Sequence, residues 1–365
     1  MKKYVKNAVK ELQKSDKDKI EVPLKSKNDY KRCFCRLLYN KFILTIQKKV
    51  VPSHLKIFFL RTAGMNVGHD VCVPHDIYFD PYFPELIYLK KGSLIGGEST
   101  VKSHQIKGNT LIIGKCVLEE RTLMAGLSTI LPGGKVSRNS MLSINSFLDT
   151  TIPEGELWVG KPAKLLKKLT DEEIDKFFKP SDGNYKEYYK AFKKNVKEFL
   201  KDPDKMFFKM QYNGKRLNAG DDWWRARNVL RIFYNGILVE ITRRLHHSFF
   251  KTFLLRMVGV KIGKKCRIGK GVVFDHLYGD NVTLEDNIRV DDHCYFDGHS
   301  YTISQTIFGK TLVKKGTHLK HDTFLAAGTL VGENVVTEPY TMLQKEIPAN
   351  EVWGGIPGKF IKKND

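Results

Sequence analysis

The sequence predicts a mainly β protein made of two tandem coil domains of short stacked strands, with amphipathic helices flanking them. Two observations predict it. The first is an internal duplication in the 365-residue chain: residues 61–168, shifted by 195, land on 256–363 with landmarks matched. Arg61 falls on Arg256, Asp80 on Asp275, His104 on His299, Gly114-Lys115 on Gly309-Lys310, and Trp158 on Trp353. A fixed-period match of this kind outranks local propensity. The second is a six-residue ladder inside each copy. Ile112, Leu118, Met124, Ile130, Val136, Leu142 and Leu148 form one, and Ile307, Val313, Leu319, Leu325, Val331, Thr337 and Leu343 the other. Helices repeat at 3.6 residues and strands at 2, so neither needs a period of six. A coil with six-residue sides does, one large apolar residue pointing inward per side.

The corner positions agree. Four residues after a ladder member comes a small or β-branched residue: Cys116, Thr122, Ser128, Gly134, Ser140 and Ser146 in one copy, Thr311, Thr317, Thr323, Thr329, Val335 and Thr341 in the other. Shorter ladders lie upstream at Ile262, Ile268, Phe274 and at Leu284, Val290, Phe296. Stacked coils bury a core that no single coil could bury.

In chain order, the expected organisation is an N-terminal helical segment over 1–59 and a first coil domain over 60–168. A helical linker with an amphipathic helix over 169–254 and a second coil domain over 255–365 complete it. Residues 170–200 read as helical, with Thr170/Glu173 and Asn184/Glu187 as capping boxes. Tyr185, Tyr188, Tyr189, Phe192, Val196 and Phe199 form an apolar stripe. Residues 201–227, with Pro203, Gly214 and Gly220, read as a linker. Before each coil domain runs a basic amphipathic segment, 36–60 and 231–255, sharing Arg36/Arg231, Tyr39/Tyr234, Asn40/Asn235, Ser53/Ser248 and Lys56/Lys251. Such a segment either covers the open end of a coil or lies on a membrane surface.

Composition bounds the function classes. No apolar run approaches the ~20 residues of a spanning helix, and the basic N-terminus never becomes an apolar signal core. Six scattered cysteines complete no zinc pattern and fit free thiols in a reducing cytoplasm. The expected location is therefore cytoplasmic, with peripheral membrane contact as the sharper reading of the amphipathic segments. Net charge is +22, from 62 Lys and Arg against 40 Asp and Glu, which favours anionic partners. No nucleic-acid motif accompanies it, and no nucleic acid is expected.

The stretch Leu254–Gly263 (LLRMVGVKIG) and the ending Lys345-Glu346-Ile347-Pro348 … Gly354-Gly355-Ile356-Pro357-Gly358-Lys359 resemble the entry and exit of hexapeptide-repeat acyltransferases. The resemblance implies left-handed parallel β-helices. The tandem arrangement is similar, more narrowly, to the C-terminal region of nonribosomal-peptide-synthetase-like amino-acid ligases of the ε-poly-lysine synthetase type. It is carried by His104, Ile130-Leu131-Pro132-Gly133, Ser146, Ile152-Pro153 and Trp158–Ala163 in the first copy. In the second copy Phe296-Asp297-Gly298-His299 and Trp353–Pro357 carry it. That family implies transfer of an acyl or aminoacyl group from a thioester to an amine or hydroxyl acceptor. Its adenylation and carrier domains are not in this chain, which leaves the donor open between coenzyme A and a carrier-protein thioester. No tightly bound cofactor is expected.

Such chemistry needs a base for the acceptor's proton and donors for the oxyanion. Only His104 and His299, of eleven histidines, occupy matched positions, each in a polar loop where the ladder breaks. His299 is the expected general base and His104 the weaker candidate, because Asp291, Asp292 and Asp297 lie near His299 while His104 has Lys102 and Gln105 as neighbours. Asp297 and Asp275 (matched by Asp80) are the candidate ring partners. For the donor, the resemblance points to the last turns: Lys345, Lys359, Thr341 and Gly328, with Lys362-Lys363 adding charge. Glu338, Pro339 and Tyr340 depart from the family's small residues there. A three-histidine carbonic-anhydrase-type metal site is not expected, since His318 and His321 have two residues between them and no first-copy counterpart. The reading from a different class is a non-catalytic scaffold organising a complex, with a membrane face as its setting.

Overall fold

The computed structural model describes residues 1–50, 52–178, 185–202, 204–211, 227–301 and 305–364. They fall into two compact units, one up to residue 178 and one from residue 185 onward. The protein is mainly β with parallel sheets.

In the first unit each turn of chain adds one short strand to each of three parallel stacks. One stack runs Asn66–Val67, Ile87–Leu89, Cys116–Leu118, Lys135–Val136, Thr151–Ile152. The second runs Leu94–Ile95, Leu123–Met124, Met141–Leu142, Glu156–Val159 and ends on the antiparallel strand Lys164–Lys168. The third runs Tyr78–Phe79, Thr100–Val101, Thr129–Ile130, Phe147–Leu148. The second unit repeats the plan, with stacks beginning at Lys261–Ile262, Arg267–Ile268 and Val273–Phe274.

The ladder residues are the core. Met124, Val136, Leu142 and Leu148 are fully buried in one unit, as are Val313, Leu319, Leu325 and Leu343 in the other. The corner residues are buried as well, from Thr122, Ser128 and Ser140 to Thr317, Thr323 and Thr341. Their hydroxyls bond to carbonyls of the adjacent turn, as Ser128 Oγ does to Ser143 O at 2.8 Å and Thr317 Oγ1 to Gly332 O at 2.9 Å. Size matters here: a Cβ on Gly134 would stand 2.7 Å from Ile130 Cγ2 and 2.8 Å from Leu148 O.

The first rung of each ladder departs from the expectation. Ile112 and Ile307 do not head a stack; they lie in antiparallel hairpins that leave the coil. His104–Lys107 pairs with Thr110–Gly114, and His299–Tyr301 with Gln305–Gly309. Leu111, Ile112 and Ile113 are all buried in the first of these strands, and Thr306 and Phe308 in the second, with Ile307 half-buried between them.

A third strand straps each hairpin. Lys19–Pro23 pairs with Thr110–Gly114, and Phe207–Gln211 pairs with Gln305–Gly309. These strands lie in segments expected to be helical (1–59) and linker (201–227). They were hidden because the repeat changes length there. Lys19 faces Gly114 and Phe207 faces Gly309, so the strap spacing is 207 − 19 = 188, seven short of 195. The helices before the straps, Lys3–Lys14 and Tyr185–Lys201, bury Val5, Val9, Leu12 and Tyr188, Tyr189, Phe192, Phe199. The Thr170/Glu173 capping box forms with both bonds at 3.2 Å before the helix Asp171–Phe178. Asn184 lies outside the described residues.

The segments ahead of each coil are helix pairs, Phe34–Lys49 with His54–Thr62 and Val229–Arg244 with Phe249–Val258. Ser53 and Ser248 cap the second helix of each pair through the amides of Lys56 and Lys251. Arg36 and Arg231 close its far end on the carbonyls of Ala63 and Val258, at 2.9 and 2.8 Å. Lys56 and Lys251 are fully buried, each ammonium bridging a loop carbonyl, Val50 or Leu245, to a coil carbonyl, Pro74 or Gly269.

Candidate functional site

Each hairpin begins at the matched histidine, so the fold places His104 and His299 where the chain leaves the coil. A carboxylate lies behind each ring. His299 Nδ1 is 2.5 Å from Asp275 Oδ2, and His104 Nδ1 bonds Asp80 Oδ2. An ionised carboxylate only accepts, so Nδ1 donates and the neutral ring keeps its lone pair on Nε2. His104 ranked as the weaker candidate on its sequence neighbours Lys102 and Gln105; its carboxylate, Asp80, the repeat mate of Asp275, comes from 24 residues upstream.

The carboxylates are buried and held by backbone. Asp275 Oδ1 accepts from the amides of Leu277 and Tyr278 at 2.7 and 2.8 Å, and Oδ2 from Gly298 N at 2.8 Å. Asp80 accepts from Tyr82 N at 2.8 Å and from Ser103 N and Oγ at 3.1 and 3.0 Å. Burial alone would raise the Asp275 carboxyl, but the His299 charge, its hydrogen bond and the Tyr278 and Gly298 amides hold it well below the usual range. Burial would lower His299, yet the Asp275 charge and hydrogen bond, with Asp297, raise it above the ordinary histidine value. Asp297 is raised, by burial first and by the Asp275 charge, against the opposing pull of His299.

Of the carboxylates near His299 in sequence, Asp291 bonds His318 Nε2 and Arg289 Nε instead, at 2.8 and 2.9 Å. Asp292 Oδ1 accepts from Lys270 N. Asp275, Asp297 and His299 come together, with one ligand atom from each inside 4.8 Å of the others. Among the described residues this is the one such group of three that could hold an ion. It does not fit a three-histidine zinc centre, because it has one histidine and both Asp275 oxygens are engaged by four donors. His318 and His321 bond different carboxylates, those of Asp291 and Asp322.

The surroundings differ between copies. The His104 ring sits among Tyr30, Tyr82 and Phe83, with centroids 5.6, 5.1 and 5.3 Å away. Beside it opens a cleft of about 420 Å³ lined by Tyr78, Lys102, Gln105, Ile106 and Lys107 as well as the dyad. The His299 ring meets Tyr278 edge-on at 5.6 Å.

Sequence reading missed the brace behind each dyad. Arg227 forks onto Asp280 at 2.8 and 2.7 Å and bonds Leu277 O; Arg32 bonds Glu85 and Tyr82 O. Both pairs obey the 195 shift (32 to 227, 85 to 280), which was the signal available. The donor-site candidates lie elsewhere in the turn scheme. Lys345 and Lys359 are exposed, Lys359 at the start of the last strand. Thr341 is a buried corner whose Oγ1 donates to Glu338 O at 2.5 Å. Gly328, at φ +86°, lies under the strap, where a Cβ would stand 2.9 Å from Phe207 Cβ.

No protein-family model matches the chain. It is 33% identical over 104 residues to γ carbonic anhydrase 1, mitochondrial, of Arabidopsis thaliana, covering 27% of this chain and 38% of that one. The chain thus spans well under half the length of this relative. It is 25% identical over 149 residues to the putative acetyltransferase YvoF of Bacillus subtilis, covering 40% of this chain and 86% of that protein. A third similarity, 23% over 124 residues, is to the δ-poly-L-ornithine synthetase of Acinetobacter baumannii, covering 33% of this chain and 9% of that one. Among solved structures it is similar to a maltose O-acetyltransferase from Clostridium difficile, 20% identical with a TM-score of 0.31, over 38% of this chain and 88% of that one. A hexapeptide-repeat acetyltransferase from Vibrio cholerae with acetyl-coenzyme A gives 13% and 0.32, over 40% and 93%.

Proposed function

We propose that the two units are tandem left-handed β-helices of the hexapeptide-repeat acyltransferase type, flanked by helices, and that the chain transfers an acyl or aminoacyl group from a thioester to an amine or hydroxyl. The observation that carries this reading is the duplicated dyad: a histidine at the coil exit whose Nδ1 is tied to a buried carboxylate. That arrangement fixes the tautomer and steadies an imidazolium, the requirement for a general base. The acceptor's nitrogen or oxygen attacks the thioester carbonyl and the new C–N or C–O bond forms. Nε2 of His299 takes the acceptor's proton, the C–S bond breaks, and the proton passes to the departing thiolate. The acetyltransferase and poly-ornithine synthetase similarities support the reaction class. The donor is a thioester of coenzyme A or of a carrier protein, with Lys345 and Lys359 the residues offered to its phosphates.

Peripheral contact with an anionic membrane belongs to the same reading. The helix Phe34–Lys49 exposes Phe34, Leu38 and Phe42 in one stripe, and Val229–Arg244 exposes Leu230, Phe233, Ile237 and Ile241. Leaving out the buried Lys56 and Lys251, residues 34–62 carry Arg36, Lys41, Lys48, Lys49 and Arg61 with no acidic residue, and residues 229–258 carry Arg231, Arg243, Arg244 and Arg256 against Glu240. Exposed apolar stripes on helices with a net positive charge suit acidic lipid. Among the described residues no helix is long and apolar enough to cross a membrane. Cosedimentation with vesicles that contain phosphatidylglycerol, and not with pure phosphatidylcholine, is the expected result.

The deciding experiment is mass spectrometry of products after incubation with coenzyme A and carrier-protein thioesters and a panel of amines. An acylated acceptor formed by the wild type and lost in His299→Ala supports the reading. Full turnover by His299→Ala, with a lowered melting temperature, assigns the histidine to structure and ends it.

A further inference from the structure

The repeat places opposite charges at one position. Lys102 in the first copy becomes Asp297 in the second (102 + 195 = 297), in each case two residues before the histidine. The frame around this position is shared: the dyad, the arginine brace and the hairpin recur in both copies, although the rings beside the histidine and the adjacent Ser103/Gly298 differ. A side chain that changes sign where this frame is kept acts on what enters the site.

In the first copy, Lys102 is exposed and lines the cleft beside His104, with Lys107 further along the same wall. The negative charge in the cleft is Asp80, whose carboxylate already accepts from Tyr82, Ser103 and His104. The two ammonium groups therefore set the sign met by an entering molecule. In the second copy, Asp275 is saturated by three amides and the His299 ring. Asp297 supplies a further carboxyl within 4.8 Å of that ring's nitrogen where the first copy has a lysine; burial and the Asp275 charge raise it to about 7, and an ammonium placed beside it draws it into the charged form.

We propose that residue 102/297 selects the charge of the acceptor in each copy: the His104 cleft takes an amine whose neighbouring group is a carboxylate, and the His299 site takes one that carries a second ammonium. This rests on the acyl-transfer reading for the word acceptor, but the binding preference stands apart from turnover. The geometry gives the reason. A counter-charge two residues from the base can hold the far end of a short molecule while its amine lies at Nε2. The same charge rejects the molecule of opposite design, since like charges a few ångströms apart in a partly enclosed site repel strongly.

The test uses the full chain and two short probes, 4-aminobutyrate and 1,4-diaminobutane, titrated while the ring resonances of His104 and His299 are followed by NMR. The expected result is that 4-aminobutyrate moves His104 and diaminobutane moves His299, each with about tenfold or greater preference. Lys102→Asp and Asp297→Lys should exchange the preferences. Lys102→Met and Asp297→Asn, which keep size without charge, should abolish them and serve where a reversal disturbs folding. Equal binding of both probes at both sites, no binding of either, or preferences unmoved by the neutral variants each overturn the proposal. A preference that holds without any thioester turnover would sink the acyl-transfer reading alone. Turnover indifferent to the charge at 102 and 297 would sink this inference alone.

Discussion

The His104 and His299 sites are the same machine in two settings. Each has a ring at the coil exit, a buried aspartate behind it, and an arginine brace under the loop that supplies the aspartate's amides. The first is boxed by Tyr30, Tyr82 and Phe83 and opens on a cationic cleft; the second stands against Tyr278 with Asp297 beside it. The copies differ in what surrounds the ring, while the ring, its aspartate and the arginine brace recur in both; on the acyl-transfer reading the differing part is where substrate meets the site. What differs between copies is thus a guide to specificity, and what is shared a guide to chemistry.

The largest expected effect tests the shared part. His299→Ala should lower the rate of the reaction it serves by ~10²-fold or more, the range for a positioned base. His104→Ala should do the same only for a product made in the first copy, so product-resolved kinetics of the two single variants and the double variant separate the sites. A double variant no worse than His299→Ala would make the first copy structural and break the comparison. Each change leaves a buried aspartate without its ring partner, so both variants should also melt lower, and turnover rather than stability decides the role.

The next effect concerns the aspartates. Asp275→Asn removes the charge that most raises His299, leaving burial to lower it and Asp297 alone to oppose. The sign follows: a base active when deprotonated loses activity as pH falls through its pKa, so the acid limb of the rate profile should move to lower pH. The maximal rate should drop by ~10-fold or more as the ring loses its orientation. An NMR titration of His299 reads the same shift without turnover: above 6.5 in the wild type, lower in the variant. An unmoved midpoint would mean that Asp275 does not govern the ring. Asp80→Asn, assayed by rate, asks whether the first copy obeys the same rule.

Buried lysines sharpen the comparison through stability. Burial lowers Lys56 to about 7 and Lys251 to about 8. Both lie below the unfolded value of about 10.4. Between the folded and unfolded values the unfolded chain binds more protons, so stability rises with pH across that window and the contribution is complete above it. Lys56→Met loses this gain and leaves the Val50 and Pro74 carbonyls unpaired, about 1–3 kcal/mol each. In denaturant melts from pH 7 to 10 the deficit of Lys56→Met should widen with pH. That of Lys251→Met should begin to widen about one unit later. A deficit constant with pH would show that neither lysine sheds its proton.

Much of this was legible in the chain because the coil repeats its demands. A position such as Leu319 must be large and apolar and Thr317 small, and a period of six makes both readable. The histidines were legible because the shift aligned them. Their partners were not: Asp291, Asp292 and Asp297 are near His299 in sequence, but the coil returns Asp275 to the ring from one turn earlier. The straps were illegible for a different reason. Their strands are single edges whose pairing is set by hairpins about 90 residues away, and a seven-residue change in spacing broke the match. The His104 cleft also had no sequence signal, since it is a property of how Lys102, Gln105 and Lys107 project from the hairpin.

The smallest effect lies where the copies differ by one hydroxymethyl group. Ser103 matches Gly298 (103 + 195 = 298). The Ser103 hydroxyl, with one proton, lies 3.0 Å from the Asp80 carboxylate and 2.9 Å from Phe83 O. Ser103→Gly deletes that bond at a buried carboxylate and adds backbone freedom to the unfolded chain, a cost of about 1–2 kcal/mol. The reverse change is not its mirror. A Cβ on Gly298 would stand 3.0 Å from Tyr278 O and 3.1 Å from Asp275 Oδ2, so the neighbours must yield by a few tenths of an ångström before a hydroxyl can bond. That strain offsets the new bond, and Gly298→Ser should change stability by less than about 1 kcal/mol. Because the chain has two units, global melts mix them, and amide exchange at Ile113 and Phe308, opposite the two histidines, reads each site by itself. Faster exchange at Ile113 in Ser103→Gly, with Phe308 little changed in Gly298→Ser, is the expected outcome. A gain at Phe308 as large as the loss at Ile113 would show that the two loops are interchangeable, and the case for a divergence in packing behind the dyads would fall.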